Sequence, residues 1–60
     1  MTALEIIAAL NEIIELPAEH EAQILTLDQW QLDEISEYLI IETSPAKVIK
    51  WLLEKLNDWL

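Results

Sequence analysis

No glycine occurs in this chain of 60 residues. Phosphate-cradling loops depend on glycine at fixed positions, and so does the sharp turn of the usual calcium loop, so neither device is available. None of the dipeptides that close β-hairpins is present, and alternation of apolar and polar residues is nowhere sustained. The chain is left with helices joined by short turns. Cysteine is also absent, and histidine occurs once. Disulfides, thiolate metal sites, cysteine nucleophiles and cages of several histidines are thereby excluded within one chain. Residues 1–60 make one acidic domain, and a domain of this size buries only about 60% of the surface its unfolded chain exposes. With neither disulfide nor metal cage to reinforce it, a partner is the remaining external support.

Four helix starts are legible. Thr2 followed by Glu5 fits a capping box, in which each side chain serves the other's backbone N–H. Pro17 suits a first helical position, where its missing N–H is not needed. Thr26 followed by Gln29 fits a second capping box. Ser44-Pro45 sets a serine cap before a proline at the first helical position. Helices are expected over about 3–15, 17–25, 27–42 and 45–59, with boundaries accurate to about 2–4 residues. Thr26 is a soft punctuation mark, so the second helix either stands alone or fuses with the third. The expected fold is all-α, a small bundle of three to four short helices.

Helical geometry at about 100° per residue assigns the faces. In the first helix Ala3, Ile6, Ile7, Leu10, Ile13 and Ile14 share one arc, with Glu5 and Glu12 opposite. In the last, Val48, Ile49, Leu52, Leu53, Leu56, Trp59 and Leu60 share an arc. The expected core takes Ile6, Leu10, Ile13, Leu32, Ile35, Leu39, Leu52 and Leu56 from these stripes and from the third helix. Trp51 falls outside the last helix's arc, with Lys47 and Lys55 each four positions away, close enough for their stems to lie along the ring. The third helix is apolar on two sides. Leu32, Ile35 and Leu39 form one stripe; Leu27, Trp30, Tyr38 and Ile41 form a second, with Glu34 and Glu37 among them. Such a helix is either buried between neighbours or shared with a second subunit. Aromatic residues are favoured at interface centres. The candidate interface residues are therefore Leu27, Trp30, Tyr38, Ile41 and Trp51.

Charge is unevenly distributed. Twelve Asp and Glu stand against three Lys and no Arg, a formal charge of −9. Residues 1–46 hold ten of those carboxylates and no Lys or Arg, whereas residues 47–60 hold Lys47, Lys50 and Lys55 against Glu54 and Asp58. Direct nucleic-acid binding relies on cations that displace condensed counterions, and this composition opposes it. No apolar run approaches the roughly 20 residues of a membrane span. The opening Met1-Thr2-Ala3-Leu4-Glu5 lacks the positive flank and apolar block of a secretory signal. A cytoplasmic protein without membrane contact is the expectation.

No catalytic constellation is present, and no cofactor is expected. His20 lies between Glu19 and Glu21, but adjacent residues diverge by about 100° on a helix and do not converge on one metal ion. Ser36 and Ser44 have no base nearby in sequence. Carboxylates at helical-neighbour spacing, Asp33 with Glu37 and Glu12 with Glu15, are common on any acidic helix.

Residues 24–40, ILTLDQWQLDEISEYLI, are followed by a turn at Ser44 and by Lys50-Trp51-Leu52. In Leu27, Gln31-Leu32, Leu39, Ser44 and Trp51-Leu52 this half of the chain resembles a helical segment of unknown function. That segment closes many cyanobacterial transposase-like proteins of the restriction-nuclease-like family. The spacing before the tryptophan differs, and the acidic-aromatic turn of those segments is missing. The resemblance implies a helical accessory module; it includes no catalytic residue and transfers no site.

The leading expectation is a non-enzymatic protein–protein interaction module that self-associates as a homodimer. The alternative is an acidic mimic of nucleic acid, an inhibitor or antitoxin-like decoy that binds a basic protein. An adaptor segment of a larger assembly would share the same helices. Salt separates the first two: a decoy loses affinity steeply with ionic strength, an apolar interface does not.

Overall fold

The computed structural model describes residues 1–60 and is all-helical. Its four helices are α1 (Ala3–Ile13), α2 (Ala18–Leu25), α3 (Gln29–Ile41) and α4 (Pro45–Asp58). They enclose one core within a body of 25 × 21 × 20 Å. No residue has positive φ. The connections turn instead on extended residues such as Ile14 and Glu42, which close α1 and α3.

The helix starts follow local chemistry. Thr2 and Glu5 form the expected capping box: the Thr2 N–H donates to Glu5 Oε1 at 2.8 Å, and the Glu5 N–H donates to Thr2 Oγ1 at 3.2 Å. Ser44 caps α4 and Pro45 opens it. The Ser44 hydroxyl makes no capping bond; the Ser44 N–H is instead taken up by Glu42 Oε1 at 3.0 Å.

Two starts differ from expectation. Pro17 is the cap of α2 rather than its first residue, and its carbonyl accepts the His20 and Glu21 N–H groups. Thr26 does not open α3; its hydroxyl donates to the Gln23 carbonyl at 2.7 Å and finishes α2. Asp28 caps α3 in its place, and Gln31 Oε1 accepts the Asp28 N–H at 2.8 Å. The second and third helices are therefore separate.

The core is formed by Ile6, Ile7, Leu10, Leu16, Ile24, Leu32, Ile35, Val48, Leu52 and Leu56. Two of the residues expected there are placed differently. Ile13 is 41% exposed, because α1 ends at it. Pro17 disfavours helical geometry at the residue before it, so the chain leaves the helix early. Leu16 then folds under α1 and is 8% exposed, its N–H held by Asn11 Oδ1 at 3.3 Å. Leu39 is half-buried and packs on the edge of the core from the last turn of α3. Ser36 is the one buried polar residue, and its hydroxyl is satisfied by the Leu32 carbonyl at 2.9 Å. Gln23 ties α2 to α4 by donating from Nε2 to the Leu56 carbonyl at 2.7 Å.

Candidate functional site

The connector Glu42–Ser44 is short, so α3 and α4 run antiparallel as a helical hairpin. Along one edge of that hairpin, side chains meet in rungs. Each step of one turn forward on α3 meets a step of one turn back on α4. Trp30 meets Trp59 edge to face, with ring centroids 5.9 Å apart and planes at 79°. Glu34 Oε2 lies 3.9 Å from Lys55 Nζ. Tyr38 stacks on Trp51 with centroids 4.2 Å apart and planes at 4°. The Tyr38 hydroxyl also donates to the Lys47 carbonyl at 3.5 Å.

This ladder explains Trp51. The indole leaves the core arc of α4 because it covers the outer side of the α3–α4 contact, with Lys55 Nζ 5.9 Å from its ring centre. Such stacks contribute about 0.5–1.5 kcal/mol beyond the area they bury. An exposed ion pair like Glu34–Lys55 contributes less, about 0.2–1 kcal/mol. The aromatic rungs therefore hold the edge, and the charged rung mainly sets its register.

Beside the ladder lies an open groove of about 240 Å³, lined by Glu34, Glu37, Tyr38, Ile41, Trp51 and Lys55. Three of the five candidate interface residues, Tyr38, Ile41 and Trp51, come together there. Ile41 is 78% exposed. Trp30 is 55% exposed and stands at the far end of the same ladder. Leu27 is not in the groove; it is half-buried against the core just ahead of α3. Sequence reasoning missed the role of Trp59, placed on the core arc, and the pairing of Glu34 with Lys55.

The Tyr38 phenol is held above its ordinary value of 10.0, first by desolvation on this half-buried face and then by the Glu42 and Glu54 carboxylates. At neutral pH it is therefore a neutral hydrogen-bond donor. Glu5, at the other end of the chain, is held below its usual 4.5 by its bonds to Thr2.

His20, on α2, is half-buried, with Nε2 3.9 Å from Glu19 Oε1. The Ser36 hydroxyl is committed to a backbone carbonyl. No three His, Cys, Asp or Glu side chains gather as metal ligands, and no helix is long and apolar enough to cross a membrane. No family model, curated protein or solved structure matches this chain.

Proposed function

We propose that this chain is a small acidic protein–protein interaction module, built as a bundle of four short helices. It self-associates as a homodimer in the cytoplasm and carries no catalytic activity. The observation that supports this reading is the outer edge of the α3–α4 hairpin. Tyr38, Ile41 and Trp51 share one open groove, and the exposed Trp30 lies on the same edge. Apolar and aromatic surface grouped in this way marks interaction sites on small proteins. Two-fold pairing is the commonest closed arrangement for covering it with a second copy. In this reading Leu27 contributes through the core, by seating the start of α3.

A second reading is favoured by charge. Of the ten carboxylates in residues 1–46, only Glu34 faces a lysine within ion-pairing distance. A surface so poor in counter-charges suits an acidic decoy for a basic protein. Sedimentation equilibrium at micromolar concentration, at low and near-physiological salt, tests the first reading. A dimer mass that persists at both salts is expected, because the apolar and aromatic surface carries most of the contact. A strictly monomeric mass at both salts rejects self-association and leaves the decoy reading. That reading in turn predicts salt-sensitive binding to a basic protein.

A further inference from the structure

The ladder separates charge across its width. The α3 edge carries Glu34 and Glu37, with Glu42 at the helix end. The α4 edge carries Lys55 and, one turn before Trp51, Lys47; Glu54 is the carboxylate on α4 that acts on Tyr38. Glu37 and Lys47 are exposed and form no ion pair within the chain. The face is thus acidic on one side, mixed on the other, where Lys47 and Lys55 stand with Glu54 and Asp58, and aromatic along the middle.

We propose that this face pairs with the same face of a second copy about a dyad that runs along the ladder, parallel to α3 and α4. The proposal rests on the self-association proposed above and adds its geometry. A dyad in this direction keeps height along the ladder and exchanges its two edges. Each α3 edge then meets the α4 edge of the second copy at equal height, acid against base. Lys55 of one copy reaches the Glu34 and Glu37 edge of the other. Tyr38 meets Trp51, and Glu42 meets Lys47. The exposed faces of Ile41 and Trp30 are covered along the same line.

A dyad running across the ladder gives the opposite result. It lays α3 on α3, bringing Glu34, Glu37 and Glu42 of one copy against the same carboxylates of the other, and like charges in an interface are strongly disfavoured. An isologous interface requires a self-complementary surface. The charges here are self-complementary for one dyad direction and self-repelling for the other. Glu54 and Asp58 equal the two lysines of the α4 edge in number, so the preference comes from position: Lys55 and Lys47 stand at the heights of Glu34 and Glu42, whereas Asp58 and Glu54 stand at the heights of the uncharged Gln31 and Ile35.

Charge exchange tests the proposal by sedimentation equilibrium on three samples: Glu37→Lys, Lys55→Glu and their equimolar mixture. Circular dichroism checks that each variant stays helical. Each variant alone sets like charges against each other twice in the symmetric dimer, so each should dimerise at least about tenfold more weakly than the unaltered chain. The mixture should recover dimer, because the new lysine of one variant then faces the new glutamate of the other. In the same mixed dimer the unaltered Lys55 of the first variant faces the unaltered Glu37 of the second. If either variant loses its helices, Glu42→Lys with Lys47→Glu makes the same exchange at the other end of the ladder. A Lys55→Glu variant that dimerises as well as the unaltered chain overturns the proposed dyad, and so does a mixture that stays monomeric. An unaltered chain that is itself monomeric overturns the self-association as well, so the two failures are distinguishable.

Discussion

Truncating Leu16 should destabilise the fold far more than truncating Ile13, although Ile13 has the better position on a helical wheel. Leu16 is 8% exposed and belongs to the core, so Leu16→Ala removes nearly the whole transfer free energy of its side chain. Buried Leu→Ala changes cost about 2–5 kcal/mol. Leu16 sits in an irregular connection that can settle into part of the space vacated, so the lower part of that range applies, about 2–3 kcal/mol. Ile13 keeps two-fifths of its surface in water, and alanine is a better helix former than isoleucine, so Ile13→Ala should cost less than about 1 kcal/mol. A chain this short has a total stability of roughly 3–9 kcal/mol, scaled from typical values per residue. For a domain of this size each kcal/mol moves the melting temperature by about 4–8 °C. Thermal melts followed by far-ultraviolet circular dichroism should therefore show a fall of about 10–20 °C for Leu16→Ala and less than about 8 °C for Ile13→Ala. If Ile13→Ala melts as low as Leu16→Ala, the placing of Leu16 in the core ahead of Ile13 is refuted.

Further outcomes follow from the caps and the ladder. The chain has a single tyrosine, so the tyrosinate absorbance band reports Tyr38 alone. Its midpoint should lie above 10.0 and move down in Glu42→Gln. A raised folded value means that the stability tied to neutral Tyr38 is complete below the ordinary value and is lost as pH rises through the folded one. Melting temperature should accordingly fall in strongly alkaline solution, and less so in Tyr38→Phe. Glu5 has the opposite sign: its lowered value gives stability that is complete above 4.5 and is lost as pH falls through the folded value. Acidification from pH 7 to pH 5 should leave that contribution intact, and Glu5→Gln should remove the dependence below it. Thr2→Ala deletes the partner hydroxyl and should cost about 0.5–2 kcal/mol, the range for lost N-caps, in chemical denaturation. Added salt at neutral pH should raise the melting temperature, because it screens carboxylates that are largely without lysine partners; a fall would mean that attraction dominates.

The helix count was legible to within one, and two of the four starts were legible, because they depend on local chemistry. Thr2 with Glu5, and Ser44 with Pro45, act within one turn. Around Thr26 two capping patterns overlap, Thr26 with Gln29 and Asp28 with Gln31. Local reading could not choose between them, because Thr26 finds its partner backward at Gln23. Ile13 was misplaced for a different reason. A wheel assumes that the helix continues, whereas Pro17 ends the helical path before it and lets a connection residue, Leu16, enter the core. The wheel also isolated Trp51 as an outlier without saying what it touches. Helix periodicity fixes faces on each helix but not which faces oppose one another. One signal was present. A connector as short as Glu42–Ser44 forces α3 and α4 to run antiparallel, and recurrence every four residues on both helices aligns Trp30 with Trp59, Glu34 with Lys55 and Tyr38 with Trp51.

NMR spectra of labelled protein over a dilution series are the sharpest test of the proposed pairing of two copies through the outer edge of the α3–α4 hairpin. The signals that move with concentration should be the indole N–H groups of Trp30 and Trp51, the Tyr38 ring and the Ile41 methyls, while Ile6 and Leu10 in the core stay fixed. Spectra that do not change on dilution from millimolar to low micromolar concentration, at a mass that remains monomeric, would contradict the claim, as would changes confined to exposed residues elsewhere such as Leu4 and Leu25.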